Sequence, residues 1–419
     1  MQPDSGRAPV DAGQIQGGVP PLPPARAGIV VLLCFLVAVL EGFDIQALGV
    51  AAPRMAPGLG LDASQMGWLF AIGSIGILFG ASIGGRVADR YGRKPTFMGA
   101  VAVFGAFTLL MSVLSDFEGL FAARFMAGLG FGAALPNMMA LAVEISTPSR
   151  RALTTAAMFC GLPTGGALCA GVTQWLPAGF DWRTLFQIGG VLPLLLLPAI
   201  AMLMVETHRP AAPSEKGRRS TAAVVHGLFG EGRAPATLLI WTILAPIMLV
   251  LYLLLNWLPT LVASKGLSIA VAPLASMWFN LGGVAGALLL APVVDRLGFR
   301  LPITFGFAAL ALALVGLSMA QSVATILACS AIAGLLLLGA NYSLYAVAAA
   351  CYPTESRGTG SGVAVAVGRV GSVLGPLIAG ALLARGVSAE TVILLLAPAA
   401  TVAALATWAL ARFAAPPTA

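Results

Sequence analysis

Gly85-Arg86-Val87-Ala88-Asp89-Arg90-Tyr91-Gly92-Arg93-Lys94 is a short polar loop between two apolar runs. A degraded copy, Ala291-Pro292-Val293-Val294-Asp295-Arg296-Leu297-Gly298-Phe299-Arg300, follows later in the chain. Asp89 and Asp295 are 206 residues apart. The same offset relates Arg90 to Arg296, Gly92 to Gly298, Gly76 to Gly282, Gly80 to Gly286, Gly128 to Gly334, Arg151 to Arg357 and Gly165 to Gly371. A single register held over so much of the chain indicates a duplicated unit.

Each copy has the composition of a membrane domain. Hydrophobic residues make up 59% of the chain and charged residues 9%, against roughly 45–50% and 25% in soluble proteins. Apolar runs between charged or turn-rich breaks predict helices at about 28–51, 66–86, 95–114, 119–143, 153–174, 183–205, 236–260, 271–294, 301–320, 323–350, 359–384 and 390–412. The expected architecture is an all-α integral membrane protein of twelve transmembrane helices in two pseudo-symmetric six-helix halves, 28–205 and 236–412. A polar linker at 206–235 joins them, with tails at 1–27 and 413–419. The first tail, rich in Pro, Gly and Ala, reads as a disordered cytoplasmic segment. A cleaved signal is not expected, because the apolar run after it starts late, is too long for a signal and carries Glu41 and Asp44. The 50 glycines suit helices packed closely in lipid.

The net charge of +7 reports orientation rather than a nucleic-acid partner. With both termini placed in the cytoplasm, Arg54, Arg183, Lys265 and Arg385 fall outside and Arg124 and Arg369 fall within spans. The rest of the 23 basic residues lie inside, as the positive-inside rule expects. Five scattered cysteines without Cys-x-x-Cys spacing point to neither a disulfide framework nor a metal site. His208 and His226 belong to the linker region, so proton handling across the membrane falls to carboxylates. No cofactor and no nucleophile constellation for an enzyme is indicated.

Charged residues inside spans are costly and mark functional sites by default. Glu41 and Asp44, in Leu40-Glu41-Gly42-Phe43-Asp44-Ile45-Gln46, are spaced i, i+3 and share a helix face. The competing reading, a span that ends early and leaves both acids at the interface, is opposed by the apolar run from Ile45 to Ala52. At ~1.5 Å per residue Glu41 lies about 20 Å and Asp44 about 24 Å from the inner end of the span, and Arg124 about 22 Å. The three charges therefore share a level, as a proton-coupling group with Arg124 as counter-ion. Glu41 is the expected partner of Arg124 and Asp44 the acid that exchanges a proton, although the reverse assignment satisfies the same spacing. A snorkelling Arg124 is the alternative.

Arg369 sits about 15 Å from the inner end of its span, with no acid at its level in the second half. Its planar fork matches a carboxylate, so an anionic substrate supplies the missing charge. A structural bond to helix carbonyls is the alternative. Phe43, Trp278, Asn280, Tyr342 and Tyr345 are the candidates to line an apolar cavity with a few placed polar groups around an aromatic ligand.

The Gly85-x-x-x-Asp89-Arg90-x-Gly92-Arg93-Lys94 loop, its copy at Asp295-Arg296-x-Gly298, and Arg124-x-x-x-Gly128-x-Gly130-x-Gly132 resemble the major facilitator superfamily over residues 28–412. The resemblance implies that Gly85, Asp89, Arg90, Gly92, Arg93, Lys94, Asp295 and Arg296 form a cytoplasmic gate. There the Asp meets a helix N-terminus and the basic residues make ion pairs between the halves when the protein faces outward. Glu41-Gly42-Phe43-Asp44, with Met66-Gly67-Trp68, Asn256-Trp257-Leu258-Pro259 and Ala364-Val365-Ala366-Val367-Gly368-Arg369, is similar to the aromatic acid:proton symporter family. Within it the 3-(3-hydroxyphenyl)propionate transporter branch is the best likeness. This implies a monomeric importer of an aromatic carboxylate with protons, working by alternating access in a bacterial inner membrane. The rival is a proton-driven efflux pump for drugs or organic acids, since Gly161-Leu162-Pro163-Thr164-Gly165-Gly166 partly resembles an exporter pattern but lacks its Gly-Pro pair.

Overall fold

The computed structural model describes residues 24–146, 151–177, 179–204, 206, 221–353 and 356–413. Most of both expected tails, and linker residues 207–220, lie outside the described residues. The elements are α1 (Pro24–Leu59), α2 (Ala63–Tyr91), α3 (Arg93–Met111), α4 (Phe117–Ile145), α5 (Arg151–Val172) and α6 (Arg183–Leu203) in the first half. A short α7 (Thr221–Phe229) lies in the linker region. The second half comprises α8 (Ala234–Ala263), α9 (Val271–Leu297), α10 (Arg300–Met319), α11 (Val323–Ala350), α12 (Arg357–Ala384), α13 (Ala389–Leu394) and α14 (Ala397–Leu410). Among the described residues, 12 helical segments are long and apolar enough to span a membrane, the last being α13 and α14 together.

Several boundaries differ from the sequence expectation: α2 runs to Tyr91, through most of the stretch read as a loop, and α9 to Leu297; two further differences involve proline. α1 runs to Leu59 through Pro53 and Pro57, because neighbouring helices in a bundle can satisfy the carbonyls that a proline leaves without donors. Glu41 and Asp44 are therefore well inside the helix rather than at its end. The last span is broken at Leu395 and Leu396, just before Pro398, which takes a first-turn position in α14 where a missing N–H costs nothing.

The duplication recurs in the packing. A Cβ built on Gly76 would collide with the Phe125 carbonyl, and one on Gly282 with the Ala331 carbonyl. Gly80 faces Leu129 as Gly286 faces Leu335, and Gly165 faces Val39 as Gly371 faces Ala245. Every contact in the second half is displaced by the same offset as the sequence. Helices in lipid associate through close backbone approach at small residues, so these glycines seat α2 on α4, α1 on α5, and their counterparts α9 on α11 and α8 on α12. The repeated loop is also a repeated turn: Gly92 has φ +99° and Gly298 φ +74°, values that favour glycine.

The halves meet most closely at the end opposite the duplicated loops. There Gly67 of α2 abuts α12, where an added Cβ would sit 3.0 Å from the Pro376 carbonyl. The Phe70 ring lies edge-on to Trp257 with centroids 5.1 Å apart, and Gln174 Nε2 donates to the Ala270 carbonyl at 3.4 Å. Toward the loop end, Phe159 of α5 stacks on Tyr342 of α11 at 5.1 Å. Between these two levels the halves part around a central cavity.

Candidate functional site

A cavity of about 300 Å³ lies between the halves, walled by α1, α2, α4 and α5 from one and α8, α9, α11 and α12 from the other. Gly42 lets α1 approach the Leu162 carbonyl of α5, and this close seating puts Glu41 beside Leu162 and Pro163 in the cavity wall. Glu41 is fully buried, and neither carboxylate oxygen has a hydrogen-bond partner. Arg369 enters from α12 and donates from Nη1 to the Tyr252 hydroxyl at 2.7 Å. Among the described residues Glu41 and Arg369 are the only acid and base in the wall, and no carboxylate comes within 4.0 Å of the Arg369 guanidinium. Neither therefore has an oppositely charged partner in contact, although both belong to one wall.

Arg124 is paired, but with Asp44 rather than with Glu41 as the spacing argument expected. Its Nη1 lies 2.6 Å from Asp44 Oδ2, and the Thr108 hydroxyl donates to Oδ1 at 2.7 Å. Gly73 makes room for the arginine, since a Cβ there would sit 2.9 Å from Arg124 Nε. Three residues of helix leave Asp44 about 60° around the axis from Glu41. That turn sends one acid into the α1, α3 and α4 packing and the other into the cavity. Arg124 is 4% exposed and Asp44 fully buried, so the snorkelling alternative is also excluded. Removing one partner of a buried pair strands the other charge and costs roughly 3–5 kcal/mol, whereas replacing both with apolar groups is often neutral. Asp44→Asn is thus expected to lower the melting temperature of the purified protein strongly, and Asp44→Leu with Arg124→Leu to restore much of it. Melting of Asp44→Asn at the native temperature would contradict this.

Of the expected ligand-lining residues, Asn280, Tyr342, Tyr345 and Arg369 are in the wall. Phe43 and Trp278 are not. Phe43 is buried beside Gly189, close to Thr108, and Trp278 is 43% exposed on the outer surface. Each lies two residues, about 200° of helix, from a residue that does face the cavity, Glu41 and Asn280 respectively. The structure adds Gln46, Tyr252, Asn341 and Phe159 to the wall. The first three were recognisable only as polar groups within spans, whereas Thr108 carried no signal in its apolar run.

In the loop expected to act as a gate, Arg93 and Lys94 donate their backbone N–H groups to Glu206 Oε1 and Oε2, each at 3.0 Å. Lys94 Nζ donates to the Ala201 carbonyl at 2.6 Å. These bonds join α3 to the end of the first half and the first residue of the linker, and among the described residues no bond from Lys94 reaches the second half. Glu206 was unmarked in the sequence, and its carboxylate satisfies N–H groups that the start of α3 leaves without helical acceptors. Arg90 stacks on the neighbouring Tyr91, Gly85 faces open space, and Asp295 and Arg296 are exposed.

The sequence pattern described as Major Facilitator Superfamily matches residues 34–320 and again 261–419. The chain belongs to the major facilitator superfamily. It is a multi-pass membrane transporter rather than an enzyme, and its relatives agree along nearly their whole length. It is 39% identical over 389 residues to the 3-(3-hydroxy-phenyl)propionate transporter of Escherichia coli, covering 92% of this chain and 94% of that one. With the 4-hydroxybenzoate transporter PcaK of Pseudomonas aeruginosa it shares 33% identity, covering 87% and 88% of the two chains. With the gallate transporter of Pseudomonas putida the identity is 32%, covering 90% of each. Among solved structures, a bacterial homolog of the human lysosomal transporter Spinster, inward-facing and unoccupied, superposes with a TM-score of 0.76 at 17% identity, covering 95% of this chain and all of that one. At that identity the likeness is one of fold alone.

Proposed function

We propose that this major facilitator carries an aromatic carboxylate inward together with protons, in the manner of its hydroxyphenylpropionate-transporting relative, by alternating access. The observation that carries the reading is the cavity wall, in which Arg369 and Glu41 face one space and neither has a charged partner in contact. An anionic ligand fits the vacant guanidinium, and the tyrosines, Phe159 and the surrounding aliphatic residues fit a ring. A volume of about 300 Å³ matches a single-ring acid. The relatives named above are transporters of aromatic acids, which supports the same cargo here.

Protons enter through the acid that remains unpaired. Glu41 faces the same guanidinium that the cargo carboxylate needs, so the two anions compete for Arg369. A proton on Glu41 removes the competitor, and cargo and proton are then carried together. Asp44, held by Arg124 and Thr108, serves as a fixed pair that shapes the first half. The excess of basic residues on the duplicated-loop side supports cytoplasmic termini in a bacterial inner membrane. On that orientation the closer contacts between the halves, at Gly67 and Trp257, lie on the outer side of the cavity. The loop residues Gly85, Asp89, Arg93 and Lys94 act as a latch in the outward-facing state, with Asp295 and Arg296 as its counterpart. The protein works as a monomer.

Uptake into whole cells of labelled 3-(3-hydroxyphenyl)propionate, challenged with unlabelled benzoates, phenylacetates and phenylpropionates, tests the reading. Expected is saturable uptake, stimulated by an acidic exterior and competed by aromatic acids but not by their amides. Resistance to drugs on expression, with no uptake of any aromatic acid, would favour an efflux pump.

A further inference from the structure

At the upper wall of the cavity three groups form a directional chain of hydrogen bonds across the two halves. Gln46 of α1 donates from Nε2 to the Leu255 carbonyl of α8 at 2.8 Å. A carbonyl can only accept, so this bond fixes which way the Gln46 amide faces. Its Oε1 then accepts from Asn280 Nδ2 at 3.1 Å. The same Nδ2 donates to the Ser276 carbonyl at 2.8 Å, so both amide hydrogens of Asn280 are engaged. What Asn280 has left is Oδ1, for which the described residues supply no donor. Gly166 of α5 makes room for the Asn280 amide, since a Cβ there would lie 2.6 Å from Oδ1.

We propose that Asn280 is a specificity-determining residue that selects cargo bearing a hydrogen-bond donor on its ring, the Ser276 carbonyl fixing which end of its amide is left for cargo. The proposal rests on the aromatic-carboxylate reading and adds a requirement to it. Arg369 takes the carboxylate, and Asn280 Oδ1 takes the proton of a ring hydroxyl. Unsubstituted rings cover that acceptor without offering it a donor, and ethers present it with a second acceptor. A buried polar group left without its partner weakens binding by roughly tenfold or more.

The test is calorimetric titration of the purified full chain with 3-(3-hydroxyphenyl)propionate, 3-phenylpropionate and 3-(3-methoxyphenyl)propionate. The native protein is expected to bind the hydroxy acid about tenfold more tightly than the other two. In Asn280→Leu the hydroxy acid should weaken to the level of phenylpropionate, whose own affinity holds or improves. Gly166→Ala, which retains Asn280 but crowds Oδ1, should compress the same ratio, and it serves if Asn280→Leu does not fold. Gln46→Leu removes one acceptor of Asn280 Nδ2 but leaves the Ser276 carbonyl, which still holds the amide in place, so the hydroxy acid should stay ahead of the methoxy acid. An unchanged ratio in Asn280→Leu and Gly166→Ala, or parallel weakening of all three acids, overturns the assignment. Native protein that binds none of the three removes the aromatic-carboxylate reading and this assignment with it.

Discussion

Glu41→Gln is expected to abolish accumulation of cargo driven by a pH gradient while leaving exchange of internal for external cargo within a few-fold of native. The argument lies in the groups of the cavity wall, where, among the described residues, one fully buried carboxylate without hydrogen bonds shares the space with one guanidinium bonded to the Tyr252 hydroxyl. When Glu41 is ionised its charge and that of the cargo are drawn to the same site. When it is protonated the site is free for cargo. A glutamine mimics the protonated state permanently, so cargo binds but no proton travels with it. Each coupled proton supports at most about a tenfold concentration ratio per pH unit, the equivalent of ~1.4 kcal/mol. In Glu41→Gln that ratio should fall to unity, and binding should lose its dependence on pH. Proteoliposomes loaded at one pH and diluted into another would measure both quantities. Gradient-driven accumulation at the native level in Glu41→Gln would remove this residue from coupling.

The fold was legible because its signals repeat. Twelve apolar runs and a constant offset between Gly76 and Gly282, or Gly165 and Gly371, reappear in the structure as equivalent backbone contacts. The site was legible in depth but not in direction. Counting residues along helices placed Glu41, Asp44 and Arg124 at one level, and the 2.6 Å Asp44 to Arg124 pair bears out that level. Which acid meets the arginine depends on a rotation of about 60° and on the room left by Gly73, and neither is encoded locally. The same blindness explains Phe43 and Trp278: aromatic residues occur on both faces of a helix in lipid, so composition alone cannot say which face looks into a cavity. Glu206 escaped notice because its partners are backbone groups more than a hundred residues away.

Arg369→Ala is expected to lower affinity for aromatic carboxylates by on the order of a hundredfold or more, since truncating one member of a buried charge pair costs roughly 2–5 kcal/mol. The guanidinium is held by Tyr252 at 2.7 Å, which orients the remaining N–H donors as a fork that a carboxylate can bridge with two bonds. Arg369→Lys preserves the charge but offers no fork, so it should fall between the native protein and the alanine variant, with a loss of about tenfold. Tyr252→Phe removes only the hydroxyl that steadies the arginine and should cost less than either. A merely structural Arg369 would behave differently. Its removal would reduce melting temperature without discriminating between ligands, whereas an anion site loses the acid and spares the uncharged amide. Titrating native and Arg369→Ala proteins with 3-(3-hydroxyphenyl)propionate and its amide separates the two roles. Equal affinity of the native protein for acid and amide would leave Arg369 as a packing residue of α12 and move the search for the anion site elsewhere in the wall.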